Sequence, residues 1–319
     1  MKTNRTIIYL TGIFLVLIAV WAFKTYSPTR DTDLDQYLAL WSNFNPDQIT
    51  QISLTKTGSN LSMQKNGNTW QAEGFDLNSA LITDLATNLI KPTNLTLVSL
   101  TAAKHADLGV ASDSAQLTLS NGTDQQSVHL GLTTSSGRYV RVANADPVYL
   151  IPELPAMAGS TTLNDWVDKT LTKIDQTQIT QIKLDRSGKS LTLNQKDNQW
   201  TFPDNAQALD PTPFAALLST LSSFTTQGLV PADSAKTFAS TPALTAIITQ
   251  TDNQSVTLTF YSGKDTAMVV SSARAGQYQI ASSVLTTFSI DPTSLKPLPL
   301  ASPEPSAAAG TPPPSPSPS

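Results

Sequence analysis

The sequence contains no cysteine, and only two of its 319 residues are histidines. Without cysteine, the chain has no disulfide, no thiolate nucleophile, no sulfur-ligated zinc site and no N-terminal cysteine that could carry a lipid. Charge is also scarce, because Asp, Glu, Lys and Arg make up 14% of the residues, and the net charge is -4 with no long basic run. Proteins that bind nucleic acids usually carry a basic patch, so the composition excludes nucleic acid as a main partner.

The uncharged polar residues are mainly Thr, Ser, Gln and Asn, which suit exposed strands and turns better than long solvated helices. The hydrophobic fraction of 39% and the length of 319 residues allow about two domains, each able to bury its own core. We therefore expect a β-rich protein of two domains.

One uncharged apolar run lies near the N-terminus, from Ile7 to Phe23, after Lys2 and Arg5. At about 1.5 Å per residue, a helix of this length is near the lower limit for crossing a ~30 Å hydrocarbon layer. No small-x-small cleavage site follows, so the pattern favours a retained signal anchor over a cleaved signal peptide. We predict a single-pass protein of a bacterial-type cytoplasmic membrane, held in the lipid bilayer through residues 7–23, with the N-terminus inside and the bulk of the chain extracytoplasmic.

The strongest pattern is an internal duplication, in which residues 48–71 match residues 178–201 without a gap at an offset of 130. In both segments apolar and polar residues alternate in two runs separated by a glycine, which predicts a β-hairpin followed by a short third strand. The third strand carries Trp70 in one copy and Trp200 in the other. A second stretch of similarity, which aligns Asp124 with Asp252, has a slightly smaller offset. The chain therefore contains two copies of one module.

After the third strand, each copy changes to helical spacing. Leu77, Leu81, Leu85 and Leu89 recur every four residues, and residues 214–221 are similarly apolar in the second copy. The predicted fold class is α+β, with one transmembrane helix followed by two tandem, mainly antiparallel β modules, each with about seven short strands and one principal helix. The predicted domains are the cytoplasmic tail and anchor at 1–30, a first repeat at 31–165, a second repeat at 166–292, and a disordered tail rich in Pro, Ser and Ala at 293–319.

Sequence motifs for catalysis are absent. The only histidines, His105 and His129, are not part of a metal-binding spacing, and no glycine-rich phosphate loop occurs. His129 alternates with Val128 and Leu130, so we expect it to be a solvated strand residue rather than a catalytic base, and we expect His105 in a loop. The sequence therefore predicts a protein that is not an enzyme, with no catalytic residue, no metal ligand and no cofactor.

The segment GRYVRV, residues 137–142, supplies the candidate contact residues Arg138, Tyr139 and Arg141. Tyr139 and Arg141 alternate with valines, so they share one face of a strand. An outward orientation of that face would create a cationic, partly aromatic contact surface. Ordinary solvation of an exposed strand explains the same pattern.

The order of these features resembles an uncharacterised bacterial family, the domain of unknown function 4340. The resemblance covers roughly residues 47–290 and rests on the third-strand Trp, the leucine-spaced helix, the turn at Leu108 and Gly109, and the segments GRYVRV and VYLI. It implies an N-terminal membrane helix and a repeated extracytoplasmic module, and some members occur beside auxiliary components of ABC transporters of the gliding-motility type. It transfers no catalytic residue. The second copy departs from the pattern, because residues 267–269 read AMV where residues 138–140 read RYV.

Three functional hypotheses follow. The leading one is a non-enzymatic accessory or scaffold protein whose duplicated module binds an extracytoplasmic partner, with an ABC-type transport or gliding-type envelope complex as the expected company. The alternative is a cell-envelope glycan-binding module, in which Trp70 or Trp200 stacks on sugar rings, although a core position explains these residues more simply. The third is an enzyme with a site formed between the two copies.

Overall fold

The structure, a computed structural model, describes residues 29–197, 199–204, 209, 211–288, 290 and 295. The chain divides into two compact units, Met1–Asp168 and Lys169–Ser319. The expected anchor at residues 7–23 and almost all of the expected tail lie outside the described residues. Among the helices that are described, none is long and apolar enough to cross a membrane.

The first unit is built on one antiparallel sheet of nine strands. Its strands are β1 (Gln51–Lys56), β2 (Ser59–Asn66), β3 (Thr69–Ala72), β4 (Phe75–Leu77), β5 (Thr96–Ser99), β6 (Ala115–Ser120), β7 (Gln125–Thr134), β8 (Gly137–Val142) and β9 (Val148–Ile151). Its helices are α1 (Thr29–Ala39), α2 (Ser79–Ile90) and the single turn α3 (Leu163–Trp166). The strand order is β4-β3-β2-β1-β6-β7-β8-β9-β5, which leaves β5 at an edge, paired with β9.

Alternating burial gives the first sheet two distinct faces. Ile52 and Leu54 of β1 are fully buried and belong to the same hydrophobic cluster as Leu85 and Leu89 of α2. We call this side the core face and the other side the open face. Asn78 caps α2 by accepting a hydrogen bond from the Leu81 backbone N–H at 3.1 Å. The hydrophobic effect therefore fixes which face of each strand points inward.

Helix α1 completes this core. Tyr37 is fully buried, and its hydroxyl donates a 2.6 Å hydrogen bond to the Leu89 carbonyl oxygen. The ring of Tyr37 packs edge-on against Tyr149 of β9, with centroids 4.9 Å apart. The acidic sequence that precedes Tyr37 thus forms the beginning of a helix, which packs on the sheet through Tyr37.

The second unit repeats the arrangement with eight strands. They are β10 (Ile179–Arg186), β11 (Lys189–Lys196), β12 (Gln199–Thr201), β13 (Gly228–Leu229), β14 (Leu244–Gln250), β15 (Ser255–Ser262), β16 (Thr266–Ser271) and β17 (Arg274–Ala281), with helices α4 (Pro211–Ser222) and α5 (Val284–Thr287). The order β12-β11-β10-β14-β15-β16-β17-β13 matches the first sheet strand for strand, without a named counterpart of β4 in the described residues. The mostly antiparallel two-module fold is therefore confirmed.

Strand pairing gives a more accurate alignment of the two units than sequence similarity does. Leu130 pairs with Val140 in the first sheet, and Phe260 pairs with Val269 in the second, so β7 and β15 correspond at an offset of 130. The sequence match between Asp124 and Asp252 is therefore two residues out of register. One cause is the number of residues beyond the last cross-strand pair, which is four in the first unit (121–124) and five in the second (250–254, including Gln250 at the end of β14).

Candidate functional site

Strand β8 carries all three predicted contact residues, but on different faces. Tyr139 and Arg141 lie on the open face, whereas Val140 and Val142 are buried in the core. Arg138 lies on the core-face side of the strand, where its Nη2 donates a 2.8 Å hydrogen bond to the Ala156 carbonyl oxygen. Burial lowers the pKa of Arg138. The three residues therefore do not form one contact surface.

The open face at β8 is covered by residues 101–114, which we call the cap segment. Arg141 is only 9% exposed, because its Nε donates to the Val110 carbonyl oxygen at 2.9 Å and its Nη1 donates to the Ala145 carbonyl oxygen at 3.3 Å. The expectation that Arg141 faces solvent is therefore wrong. Alternation predicts correctly that Arg141 and Tyr139 share a face of β8. It does not reveal that the cap segment packs over this face and buries Arg141.

His129 lies beneath the same cap segment. It is 9% exposed, and its Nδ1 lies 3.1 Å from the Ser114 Oγ, which itself donates to the Ala111 carbonyl oxygen at 2.6 Å. The expectation of a solvated residue is wrong for the same reason as at Arg141. Burial, with smaller contributions from the charges of Arg141 and His105, lowers the pKa of His129. The imidazole is thus neutral near pH 7 and serves as a hydrogen-bonding contact for the cap segment.

Three further contacts hold the cap segment against the sheet. His105 Nε2 lies 2.9 Å from the Asp146 carbonyl oxygen, and the Leu132 backbone N–H donates to the Leu108 carbonyl oxygen at 3.1 Å. The backbones approach so closely at Gly131 that a Cβ there would lie 2.4 Å from the Leu108 carbonyl oxygen. Both histidines of the chain therefore attach the same segment to the sheet.

Exposed apolar side chains border the cap segment. Leu100, which directly precedes it, is 59% exposed, and Val98 of β5 is 40% exposed. Leu132 is 56% exposed and adjoins the turn at Gly109, where a Cβ would lie 3.0 Å from the Leu132 Cγ. We call Val98, Leu100 and Leu132 the apolar rim. Of the large hydrophobic residues that the structure describes as exposed, all lie in the first unit.

Away from the cap segment, the open face of the first sheet is uncharged across five strands. We call this surface the amide–hydroxyl face. Its members are Gln51, Ser53, Thr55, Asn60, Ser62, Gln64, Asn66, Thr69, Gln71, Gln116, Thr118, Ser120, Gln125 and Ser127. Every member is Ser, Thr, Asn or Gln, so the face offers both donors and acceptors without a fixed charge.

Neighbouring members of the amide–hydroxyl face contact one another. Gln51 Nε2 donates to the Ser62 Oγ at 3.2 Å, and the Thr118 Oγ1 and Ser127 Oγ lie 2.7 Å apart. At one side the face enters a depression of about 430 Å³, within the size range of ligand sites. The depression is lined by Ser62, Gln64, Lys65, Asn66, Gln71, Ala72, Glu73 and Gly74.

The two repeated tryptophans have different environments. Trp70 is 3% exposed and belongs to the core, so its interpretation as a core residue is confirmed and a role as a sugar-stacking platform is wrong. Trp200 is half-buried, with its ring 4.9 Å from that of Phe214. Across the part of the chain that the structure describes, no group of three or more His, Asp or Glu side chains could hold a metal ion.

Comparison with known proteins identifies the family. The model of the family described as Domain of unknown function (DUF4340) matches residues 72–242, more than half of the chain. The chain belongs to the DUF4340 family. No curated protein and no solved structure matches it. The DUF4340 match begins at the end of β3, includes the cap segment and ends before β14, so it spans parts of both units.

The second unit of this DUF4340 chain lacks the polar cluster under the cap. By strand pairing, Thr259 occupies the place of His129, and Val270 occupies the place of Arg141. The difference between RYV and AMV is therefore part of a wider replacement of ionisable side chains by side chains that do not ionise. No sequence signal in the first copy alone distinguishes its buried Arg141 from an exposed strand residue.

The amide–hydroxyl face also differs between the two units. Lys183 and Asp185 occupy the positions of Ser53 and Thr55, and their side chains form a 3.0 Å ion pair. Ile247, the pairing partner of Lys183, places an apolar side chain beside that ion pair. The second open face is therefore neither uniformly polar nor uncharged.

Proposed function

We propose that this DUF4340 protein is a non-enzymatic accessory or scaffold protein of the cytoplasmic membrane. Residues 7–23 anchor it, and both units lie on the extracytoplasmic side. Its partner is another membrane-complex protein, of an ABC-type transport or gliding-type envelope system. The apolar sequence run supports the anchor, and family membership supports the module without assigning an activity.

The observation that carries the proposal is the apolar rim beside the cap segment. Leu100 directly precedes the cap segment and Leu132 contacts it at Leu108, and exposed apolar side chains in such positions favour a protein interaction site. Leu100 and Leu132 are both more than half exposed. The neighbouring polar groups, Arg141 and His129, are already bonded to the cap segment, so the apolar side chains remain available to a partner.

The partner is identified by crosslinking the full-length protein in its native membranes, extracting it in mild detergent and analysing co-purified proteins by mass spectrometry. The anchor helix alone serves as a background control. The variant Leu100→Lys/Leu132→Lys places charge on the rim, and Thr133→Lys is the matched control, because Thr133 is an exposed neighbour of Leu132 on the same strand.

Recovery of a stoichiometric ABC-type permease or its auxiliary protein with the native chain and the control, but not with the rim variant, would support the proposal. Undiminished recovery with the rim variant would contradict the role of the rim. Recovery of wall glycan without any protein partner would contradict the scaffold function altogether.

Glycan binding is a second candidate function. Trp70 does not support it, because that residue is buried, and Trp200 is half-buried in the second unit with its ring 4.9 Å from that of Phe214. The amide–hydroxyl face does support it, because its groups match the hydrogen-bonding groups of sugars.

A further inference from the structure

We infer that the amide–hydroxyl face of the first unit binds an uncharged glycan chain and that the corresponding face of the second unit does not. This inference develops the second candidate function and does not depend on the protein partner of the apolar rim. It assigns a ligand class, a surface and a difference between the two copies.

The chemical uniformity of the face selects the ligand class. Its fourteen members are all amides or hydroxyls, in a chain that has 44 charged residues elsewhere. An anionic polymer would find no cation on these side chains to pair with. The centre of a protein interface is usually rich in aromatic residues, Met and Arg, none of which is a member of the face. A neutral polymer with hydroxyl and amide groups matches both the donors and the acceptors.

The geometry of the face suits a repeating ligand. Neighbouring strands lie about 4.8 Å apart, and side chains on one face of a strand repeat about every 6.8 Å. Five adjacent strands therefore present a regular grid of hydrogen-bonding groups about 19 Å wide. Pairs such as Thr118 with Ser127, and Gln51 with Ser62, already orient one another, which lowers the entropy lost on binding.

The depression at the edge of the grid marks one end of the uncharged surface, because its lining includes Lys65 and Glu73. Gln64 and Gln71 belong both to the grid and to the lining of the depression. Gln71 Nε2 donates to the Asp76 Oδ1 at 2.9 Å, which fixes the direction of its amide. The uncharged ligand would thus lie on the grid and end at the border of the depression.

The second unit contains the feature that should prevent binding. Covering the Lys183–Asp185 ion pair with a sugar would remove water from two charges, a cost that neutral hydroxyls compensate poorly. The pair occupies the positions of Ser53 and Thr55 in the same strand register. Lys and Asp are therefore accommodated at these two strand positions in the second unit. Introducing them at Ser53 and Thr55 should preserve the first sheet and place charge on its amide–hydroxyl face.

The test uses the full-length protein in a detergent without a sugar headgroup. The probes are a neutral N-acetylglucosamine hexasaccharide, titrated by calorimetry, and insoluble chitin in a pull-down. The disrupting variant is Ser53→Lys/Thr55→Asp, and the matched control is Lys183→Ser/Asp185→Thr. Hydrogen exchange of β1 verifies that the disrupting variant keeps its fold.

We expect the native chain to bind the hexasaccharide, the disrupting variant to bind at least tenfold more weakly, and the matched control to bind at least as well as the native chain. Absence of binding by the native chain, or equal binding by the disrupting variant, would overturn the inference. Binding that weakens steeply with salt would also overturn it, since an uncharged ligand gains little from counterion release. The rim variant Leu100→Lys/Leu132→Lys should bind the glycan normally, which separates this test from that of the scaffold proposal.

Discussion

The two units share a strand order and a core but differ where each sheet faces away from its core. In the first unit, His129 and Arg141 lie under the cap segment, and in the second their places are taken by Thr259 and Val270. Outside the cap, the first unit is uncharged where the second carries the Lys183–Asp185 pair. Duplication has therefore retained the scaffold while the open faces have diverged.

The retained part extends to individual hydrogen bonds. Thr50 Oγ1 donates to the Ser120 carbonyl oxygen at 3.3 Å, and Thr180 Oγ1 donates to the Thr249 carbonyl oxygen at 3.2 Å. A contact that survives in both copies is explained by the needs of the fold. A contact present in only one copy is where a specific function should be sought.

The largest expected contrast concerns the repeated tryptophans. Trp70→Ala should destabilise the first unit by about 3–5 kcal/mol, because it empties a core position, whereas Trp200→Ala should cost the second unit about half as much, because Trp200 is already half-buried. The opening free energies of β3 and β12, measured by hydrogen exchange, test this prediction. Equal losses in the two units would contradict it.

Removal of the buried cation should have the next largest effect. Arg141→Ala leaves the Val110 and Ala145 carbonyl oxygens without their donor and should reduce the stability of the cap segment by about 2–3 kcal/mol. Val270→Ala, at the equivalent place, removes only a half-buried apolar side chain and should cost about 1 kcal/mol. Hydrogen exchange over residues 101–114 measures the first effect. Unchanged protection there would show that the guanidinium does not hold the cap segment.

The stability of the first unit at its cap segment should depend on pH through His129, which the second unit replaces by Thr259. Because the pKa of His129 is lowered in the folded state, the unfolded chain binds this proton more readily. The contribution of His129 is therefore complete above the unfolded pKa of about 6.5 and decreases as the pH falls below it. Protection of the cap segment, corrected for intrinsic exchange, should decline as the pH falls below about 6.5. His129→Thr, which copies Thr259, should flatten this response.

The smallest expected effect is one in which the two units should agree. Thr50→Val and Thr180→Val each remove one side-chain hydrogen bond and should each cost about 0.5–1 kcal/mol. Denaturation of the two variants, followed by hydrogen exchange in β1 and β10, compares the losses. A clear difference would mean that the shared core is less equivalent than the strand pairing indicates.

Local patterns were sufficient to predict most of the fold. Alternation located the hairpins, and the four-residue leucine spacing located α2, although Leu77 itself lies in β4. Alternation also assigned Tyr139 and Arg141 to the same face of β8. These patterns report a contrast between two sides of one element, which is a local property.

The candidate site was less accessible to sequence analysis. The burial of Arg141 and His129 depends on the cap segment, whose residues 101–114 have no helical or strand periodicity and come from elsewhere in the chain. The amide–hydroxyl face likewise requires the strand order, because its members come from five strands that the sequence does not order. The burial of Arg141 and His129 and the composition of the amide–hydroxyl face are therefore determined by tertiary packing and strand order, and not by local secondary-structure propensity.

The position of β5 has a consequence for how the protein is made. Thr96 pairs with Leu150, and in the second unit Gly228 of β13 pairs with Gln279, so each edge strand is synthesised well before its only partner. During synthesis on the ribosome, each such strand must wait, unpaired, until the end of its module has emerged. Each repeat should therefore complete its sheet late in synthesis, and a chain interrupted before β9 would display an open strand edge to chaperones and proteases.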